Sequence, residues 1–296
     1  MNKQKSVIFV HQKHHIGGGQ TYVNQLLWGF EKEGYSAELI EGEEPVSVII
    51  RLAKSKTKIV VWSVYESATT LPYIASFLLG KKNLLNIYGI WKLESRSHFV
   101  NENWESKTKG EAGQVMVEFK VLVKQFIYIL SAEEIIHLSK YAKRLFYKIL
   151  LFRVFKFKKQ VICYGGVDKK LFKEVNLKKK KKSRNMLGMN KSDFILLMIG
   201  RMEKRKNYSD GLKVLKELKE LMPSKNAFLY IVLSYGSFND FRHTDALFQE
   251  IGKLGLGNWV RVLTGIKYND IAQIYQVSDV YLMLSTEFET FGLVTL

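Results

Sequence analysis

The chain has 296 residues, 47% of them hydrophobic, which allows two domains with separate cores. Its formal net charge of +18 favours an anionic partner, whether nucleic acid, an acidic membrane surface or a phosphorylated substrate. Its single cysteine, Cys163, excludes intramolecular disulfides and fits a reducing compartment. No apolar stretch reaches the roughly 20 residues that span a bilayer, and the amino-terminal residues lack a signal peptide's long apolar region, so a cytoplasmic protein is expected.

Strands and helices alternate through the first half of the chain. The apolar run over residues 6–10 predicts a first strand, and apolar residues at helical spacing predict an amphipathic helix over residues 21–33 that ends at Gly34. Further strands are predicted over residues 37–40, 58–62, 84–88, 134–138 and 160–163, and further helices over residues 113–130 and 140–151. This alternation is typical of a parallel sheet with helices packed on it.

The sequence changes character after Cys163. Residues 164–182 read as a loop that ends in five consecutive lysines, and the alternation then restarts. Strands are predicted over residues 194–199, 228–233, 260–263 and 280–284, and helices over residues 208–221, 245–254 and 270–276. The predicted fold class is α/β, with one Rossmann-like domain over residues 1–176, a basic linker over 177–193 and a second, incomplete Rossmann-like domain over 194–296.

Three glycines, Gly17 to Gly19, stand between the first predicted strand and the first helix. Glycine lets the backbone approach a ligand closely and leaves the N–H groups of the helix start open to an anion. The segment is not the G-x-G-x-x-G fingerprint of dinucleotide-binding domains, and a flexible turn is an equally good interpretation.

Two cations, Arg201 and Lys206, follow the predicted strand over residues 194–199 and precede a helix. At the carboxyl end of a parallel strand, a guanidinium and an ammonium can hold a diphosphate between them. On charge alone, a solvated basic loop is the favoured interpretation.

The carboxyl-terminal residues also consist of a predicted strand, a charged loop and a predicted helix, but here the charged side chains are acidic. An apolar strand leads into a loop that contains Glu287 and Glu289, and the segment from Phe291 to Leu293 is predicted to open a helix. Glu289 can accept hydrogen bonds from sugar hydroxyls, and N–H groups near Gly292 can bind an anion. The alternative is a solvated acidic loop.

Taken in order, these segments resemble the family 4 glycosyltransferases, which have the GT-B architecture of two Rossmann-like domains. The resemblance covers most of the chain. It begins with I-F-V-H-Q-K-H-H-I-G-G-G-Q-T and includes Y-G-G-V-D-K-K-L-F and G-R-M-E-K-R-K-N. It closes with L-T-G-I-K-Y-N-D-I-A-Q-I-Y-Q-V-S-D-V-Y-L-M-L-S-T-E-F-E-T-F-G-L-V-T-L. The stretch Y-G-I-W-K-L-E-S-R is also similar to an H-G-P-W-x-x-E-S-R segment of some bacterial members.

The resemblance implies a role for each matching residue. Arg201 and Lys206 would neutralise the diphosphate of a nucleotide-sugar donor, and Glu289 would contact the donor sugar. The remaining donor-binding positions implied by the family are Gly18, Gly19, Phe291, Gly292 and Leu293. The family retains the anomeric configuration and needs no metal or other cofactor, so none is expected here.

Three departures from the family pattern bear on activity. Tyr88 stands where the H-G-P-W segment has its histidine, and a tyrosine is no base near neutral pH. His14, His15 and His98 are possible substitutes for that histidine, and Tyr88 and His15 are the acceptor-side candidates. Ser234 begins a replacement of the usual Gly-x-Gly, and the second glutamate of the family's pair would follow Leu296. A catalytically inactive, truncated remnant is therefore the alternative function.

The region from Lys140 to Gln160 combines cations with aromatic residues and contains no acidic residue. Such a segment can lie on an anionic membrane surface. A core helix with a solvated basic face and, less favoured, a site for single-stranded nucleic acid are the alternatives. The function predicted is a retaining glycosyltransferase at the inner face of the membrane. It would use a lipid-linked glycan acceptor in the synthesis of a bacterial capsule or exopolysaccharide.

Overall fold

The computed structural model describes residues 5–11, 18–42, 44–63, 70–87, 119, 123–148, 155–234, 239–286, 289 and 292–295. Apart from residues 15–18, which are grouped with the second unit, the chain divides after Gly165 into two compact units, here called unit 1 and unit 2. Each contains a parallel sheet with helices packed on it, so the α/β prediction is confirmed. Within the described residues, none of the helices has both the length and the apolar content required to cross a bilayer.

Unit 1 contains a six-stranded sheet in the order β2-β1-β3-β4-β5-β6. Its strands are β1 (Ser6–His11), β2 (Ser36–Glu41), β3 (Ile59–Ser63), β4 (Lys82–Ile87), β5 (Glu134–His137) and β6 (Lys159–Ile162). Its helices are α1 (Gly18–Lys32), α2 (Pro45–Lys54), α3 (Thr70–Leu78), α4 (123–131) and α5 (Lys140–Lys148). All strand pairs are parallel.

The strand order assigns the helices of unit 1 to the two faces of the sheet. Only the step from β1 to β2 runs toward one edge, while every later step runs toward the other edge. Because parallel crossovers are right-handed, α1 covers one face and α2 to α5 lie side by side on the opposite face. The contacts agree: α2 packs on α3, and the Tyr73 hydroxyl of α3 donates to the Tyr128 carbonyl of α4 at 2.8 Å.

Unit 2 contains a four-stranded sheet in the order β10-β7-β8-β9. Its strands are β7 (Phe194–Arg201), β8 (Ala227–Ser234), β9 (Val260–Thr264) and β10 (Val280–Tyr281). Its helices are α6 (Leu177–Met186), α7 (Tyr208–Leu221), α8 (Asn239–Lys253) and α9 (Tyr268–Val277), with short 3-10 turns at Lys204–Lys206 and Leu293–Thr295. β10 returns to pair with β7, and this places the end of the chain beside the start of unit 2's sheet.

Helix α7 approaches the sheet closely because its inner face carries a glycine. A Cβ at Gly211 would lie 2.3 Å from the Met198 sulfur of β7, so a larger residue here would force the Met198 side chain or the helix to shift. Leu212 and Leu215 then reach the apolar core formed with β8 and α8. The predicted bounds of this helix, 208–221, are confirmed.

The segment predicted to be a basic linker, residues 177–193, is corrected by the structure. Most of it forms helix α6 within unit 2, where the Asn176 side chain caps the helix by accepting from the Lys179 N–H at 2.9 Å. Lysine is a good helix former, and the buried Arg184 anchors the helix to the unit. The run of lysines was therefore interpreted as a linker although it belongs to a helix that packs within unit 2.

The region from Lys140 to Gln160 is also not one amphipathic helix. The described part consists of α5, a 3-10 turn at residues 155–157 and the start of β6. Phe146 and Phe155 are buried in the core, whereas Tyr141 and Phe157 are exposed. Helix α5 is thus a core helix with a basic outer face, which was the alternative interpretation of this region.

Candidate functional site

The segment from β7 to α7 turns at the carboxyl edge of the sheet in unit 2. β7 ends at Arg201, a 3-10 turn covers Lys204–Lys206, and Asn207 takes a left-handed φ of 55° before α7 begins. A Cβ at Gly200 would lie 3.3 Å from Lys206 Cε, so this glycine leaves room for the lysine side chain. The edge at which parallel strands end is the usual place for a ligand in such a fold.

Lys206 and Glu289, two of the predicted site residues, meet at this edge. Lys206 Nζ lies 2.7 Å from Glu289 Oε2, although 83 residues separate them in the sequence. Arg205 Nη1 donates to the same oxygen at 3.1 Å. The sheet order explains the contact, since β10 pairs with β7 and carries the following loop toward the end of β7.

Arg201 belongs to the same set of charges through a different partner. Its Nη2 lies 2.6 Å from Glu203 Oε1, and Arg205 Nε lies 2.6 Å from Glu203 Oε2. The five residues therefore form a continuous chain of ion pairs, which we call the carboxyl-edge network: Arg201, Glu203, Arg205, Glu289 and Lys206. The sequence motif gave no reason to single out Glu203 or Arg205; the only signal was their alternation with Arg201 at every second position.

The electrostatics of the network favour the charged forms of Glu289 and Arg205. Burial by itself would raise the pKa of Glu289, but the Lys206 ammonium and the Arg205 guanidinium hold it below its ordinary value. Burial likewise opposes the charge on Arg205, yet the Glu203 and Glu289 carboxylates raise its pKa overall. Three cations and two carboxylates leave one net positive charge, which suits an anionic ligand.

The carboxyl-terminal loop is fixed next to this network by a glycine and a tyrosine. Gly292 has a φ of 74°, and a Cβ there would lie 3.3 Å from Glu289 Cγ, so a larger residue would be strained and would crowd the glutamate. The Tyr275 hydroxyl donates to the Val294 carbonyl at 2.5 Å. Leu293 opens a 3-10 turn at the position where an α-helix was predicted to start.

A shallow depression opens beside Lys206. Its lining residues are Met198, Ile199, Lys206, Tyr208, Tyr281, Leu282, Met283, Leu284 and Ser285. Burial, with a smaller contribution from the Glu289 charge, raises the pKa of Tyr281 to about 12, so its hydroxyl stays protonated near neutral pH. Ser234 ends β8 in register with Arg201, and therefore also lies at this edge.

The remaining predicted positions are in part outside the described residues. Gly18 and Gly19 form the first turn of α1, at the carboxyl end of β1. Tyr88, His15 and Phe291 lie outside the residues that the structure describes. Over the described ranges, no group of three or more His, Cys, Asp or Glu side chains is arranged to hold a metal ion.

Residues 179–296 match the family model of glycosyl transferases group 1, whereas no curated protein matches the sequence. Among solved structures, Anabaena HepE in complex with UDP and glucose has a TM-score of 0.70 at 17% identity, over 98% of this chain and 77% of that chain. Sucrose-phosphate synthase from Thermosynechococcus elongatus has a TM-score of 0.71 at 15% identity, over 98% and 78%. WaaG, a glycosyltransferase involved in lipopolysaccharide biosynthesis, has a TM-score of 0.66 at 14% identity, over 98% and 77%.

The structural likenesses establish the fold, and the family model covers unit 2 almost entirely. They confirm the predicted resemblance. Residues 179–296 resemble the glycosyl transferases group 1 domain, and the chain has the two Rossmann-like domains of the GT-B fold.

Proposed function

We propose that the protein transfers a sugar from a nucleotide-sugar donor, with retention of anomeric configuration, and that the carboxyl-edge network holds the donor diphosphate. The observation that carries this proposal is the contact of Lys206 with Glu289 across 83 residues of sequence. The resemblance assigns one of them to the diphosphate and the other to the sugar. Their contact supports a donor site at this point of unit 2, with the diphosphate beside Lys206 and the sugar beside Glu289.

Arg201 and Lys206 are the proposed diphosphate ligands. Negative charge builds on the leaving phosphate as the glycosidic bond breaks, and cations already in position lower that barrier without reorganisation. The guanidinium of Arg201 can bind two phosphate oxygens, while Lys206 acts as a point charge. Glu203 holds Arg201 at 2.6 Å, which keeps its side chain at the edge of the sheet.

Glu289 is proposed to contact the donor sugar, since a carboxylate so near a phosphate would repel it but can accept hydrogen bonds from hydroxyls. Its pKa lies below the ordinary value, so it is an acceptor at neutral pH. Arg205 would keep Glu289 in place after Lys206 has turned to the phosphate. The amides of Phe291, Gly292 and Leu293, and those of Gly18 and Gly19, are proposed as further donor contacts.

The donor proposed for the first test is a uridine diphosphate sugar, because the HepE structure contains UDP and glucose. We also propose that transfer needs no metal ion, because Arg201, Arg205 and Lys206 supply positive charge where the diphosphate would lie. On the acceptor side, Tyr88 and His15 remain the candidate residues.

The acceptor is proposed to be a lipid-linked glycan in bacterial surface polysaccharide synthesis, such as a capsule or exopolysaccharide. This proposal implies a cytoplasmic enzyme attached to the inner face of the membrane. The net charge of +18 and the basic outer face of α5 support that location, because anionic lipids attract both. WaaG, which acts in lipopolysaccharide biosynthesis, has the same fold.

Calorimetric titration with UDP and GDP tests the donor proposal. Wild-type protein should bind at least one of them, and Arg201→Ala should weaken binding about 10- to 150-fold, the effect of a lost charge-assisted hydrogen bond. Arg261→Ala, which removes an exposed arginine on β9, is the matched control and should bind as wild type. Failure of the wild type to bind any nucleoside diphosphate would overturn the proposal. Unchanged affinity in Arg201→Ala would refute the assignment of Arg201 to the donor diphosphate.

A further inference from the structure

Helices α3 and α4 of unit 1 expose apolar side chains on their outer faces. On α3, Leu71 is 67% exposed and Leu78 is 77% exposed, although an ordinary surface helix turns polar residues outward. On α4, Val123, Ile127 and Leu130 are all exposed at helical spacing, and the helical residue Phe119, four residues before Val123, is 64% exposed. Both helices are therefore apolar on the side that faces away from the sheet.

These side chains lie on neighbouring helices of one layer. The right-handed crossovers place α2, α3, α4 and α5 side by side on the same face of the sheet. Tyr73 of α3 and Tyr128 of α4 are in edge-to-face ring contact at 4.7 Å, so the two helices pack directly. α2 packs on α3 and adds the exposed Val46 and Ile50. Exposed apolar side chains gathered on three neighbouring helices are typical of an interaction surface.

The charge on this helical layer has one sign. Helices α2 to α5 contain no acidic residue over the stretches that the structure describes. Their cations are Arg51, Lys54, Lys124, Lys140, Lys143, Arg144 and Lys148. Arg51 is paired with Glu38 of β2, and Glu133, which follows α4, lies 3.9 Å from Lys82. The layer thus combines exposed apolar side chains with a net positive charge.

We propose that the outer face of α3 and α4 inserts into the headgroup region of an anionic lipid bilayer, with α5 providing cations beside it. An apolar face that enters the bilayer and cations beside that face are the two components of interfacial membrane binding. A second copy of this chain is a poorer occupant, because a symmetric contact would bring two layers without carboxylates against each other.

The inference rests on the proposed membrane location and changes the residues that provide it. The sequence assigned membrane attachment to the region from Lys140 to Gln160. In the structure, the inner aromatic residues of that region, Phe146 and Phe155, are buried in the core and cannot enter a bilayer. The apolar contact is supplied instead by α3 and α4, and α5 contributes charge only.

Flotation with vesicles of phosphatidylglycerol or of phosphatidylcholine tests the surface. Wild-type protein should float with the anionic vesicles. The double variant Leu78→Glu and Leu130→Glu should lower the bound fraction about tenfold or more, because two apolar contacts become charges that anionic lipid repels. Leu221→Glu is the matched control, since Leu221 is an exposed helical leucine in unit 2 and should leave flotation unchanged.

Three outcomes would overturn the inference: no flotation of the wild type, equal flotation of all three proteins, or a lipid-free dimer abolished by the double variant. Far-UV circular dichroism and thermal melting of the same preparations show whether each variant is folded. UDP titration separates the two proposals, because UDP binding without flotation rejects the membrane surface alone, and flotation without nucleotide binding rejects the donor site alone.

Discussion

Unit 2 contains two arginine–carboxylate networks at opposite edges of its sheet. At the amino edge, the buried Arg184 donates to the Val277 and Asp193 carbonyls at 2.7 Å and to the Asp279 carboxylate at 2.6 Å. Asp279 in turn accepts from the Ile195 N–H at 2.7 Å and from Lys180 at 2.6 Å. This amino-edge network joins α6, β7 and β10 through the main chain.

The carboxyl-edge network contains similar groups but is connected differently. Within the described part of the chain, its ion pairs join Arg201, Arg205 and Lys206 to two carboxylates rather than to main-chain carbonyls. A side-chain carboxylate can be exchanged for a phosphate without opening the fold, whereas a main-chain carbonyl cannot move away unless its segment of backbone moves. The comparison teaches that the partners of a charge, more than its burial, separate a structural network from one that can bind a ligand.

The largest expected effect comes from Arg184→Met. Removal of the guanidinium leaves Asp279 with one cation and takes a donor from the buried Val277 carbonyl and the part-buried Asp193 carbonyl, which should lower the unfolding free energy of unit 2 by about 3–5 kcal/mol. Native-state hydrogen exchange of the β7 amides measures this locally, so a separate transition of unit 1 does not interfere. Arg261→Met is the control at an exposed arginine; equal protection in both variants would remove the structural role assigned to Arg184.

Lys206→Met is expected to lower the unfolding free energy less than Arg184→Met does, but to weaken nucleotide binding strongly. Arg205 still neutralises Glu289, so the unfolding free energy should fall by about 1 kcal/mol, while UDP affinity should fall about 10- to 150-fold. Calorimetric titration and thermal melting measure the two quantities. Lys204→Met changes an exposed lysine in the same 3-10 turn and should alter neither. If Lys206→Met lost stability but kept its UDP affinity, the carboxyl-edge network would be structural, like the amino-edge network.

The smallest expected effect is a change in acid sensitivity. Burial alone would raise the pKa of Asp279, but bonds from Lys180, Ile195 and Arg184 hold it below its ordinary value of 3.8. A carboxyl with a lowered pKa in the folded state stabilises the protein above the unfolded value, and that contribution is lost as pH falls through the folded value. Each unit of lowering corresponds to about 1.4 kcal/mol.

Asp279→Asn should therefore be less stable than wild type at pH 7, and the difference in melting temperature should shrink as pH is lowered below about 4. Glu289→Gln serves as the counterpart at the carboxyl edge, where the same sign of effect is expected from the lowered pKa of Glu289. A difference between wild type and Asp279→Asn that stays constant from pH 7 to low pH would contradict the assignment.

Local pattern was a good guide wherever one face of an element is apolar. Helix α7 was predicted with its observed bounds, because its apolar residues recur at helical spacing. α3 was missed because it is apolar on nearly all sides and has no such period. The same property leaves apolar side chains exposed on its outer face. α6 was missed because its lysines resemble a solvated run, and only the burial of Arg184 shows that it is packed.

The sequence by itself determined the alternation of strands and helices, the two α/β units and the motif residues Arg201, Lys206 and Glu289, since each depends on local periodicity or local resemblance. Only the tertiary structure decided that Glu289 reaches Lys206 and Arg205, because that contact requires β10 to pair with β7. It also decided that α3 and α4 lie side by side with apolar faces outward. Both results depend on strand order, which no local pattern specifies.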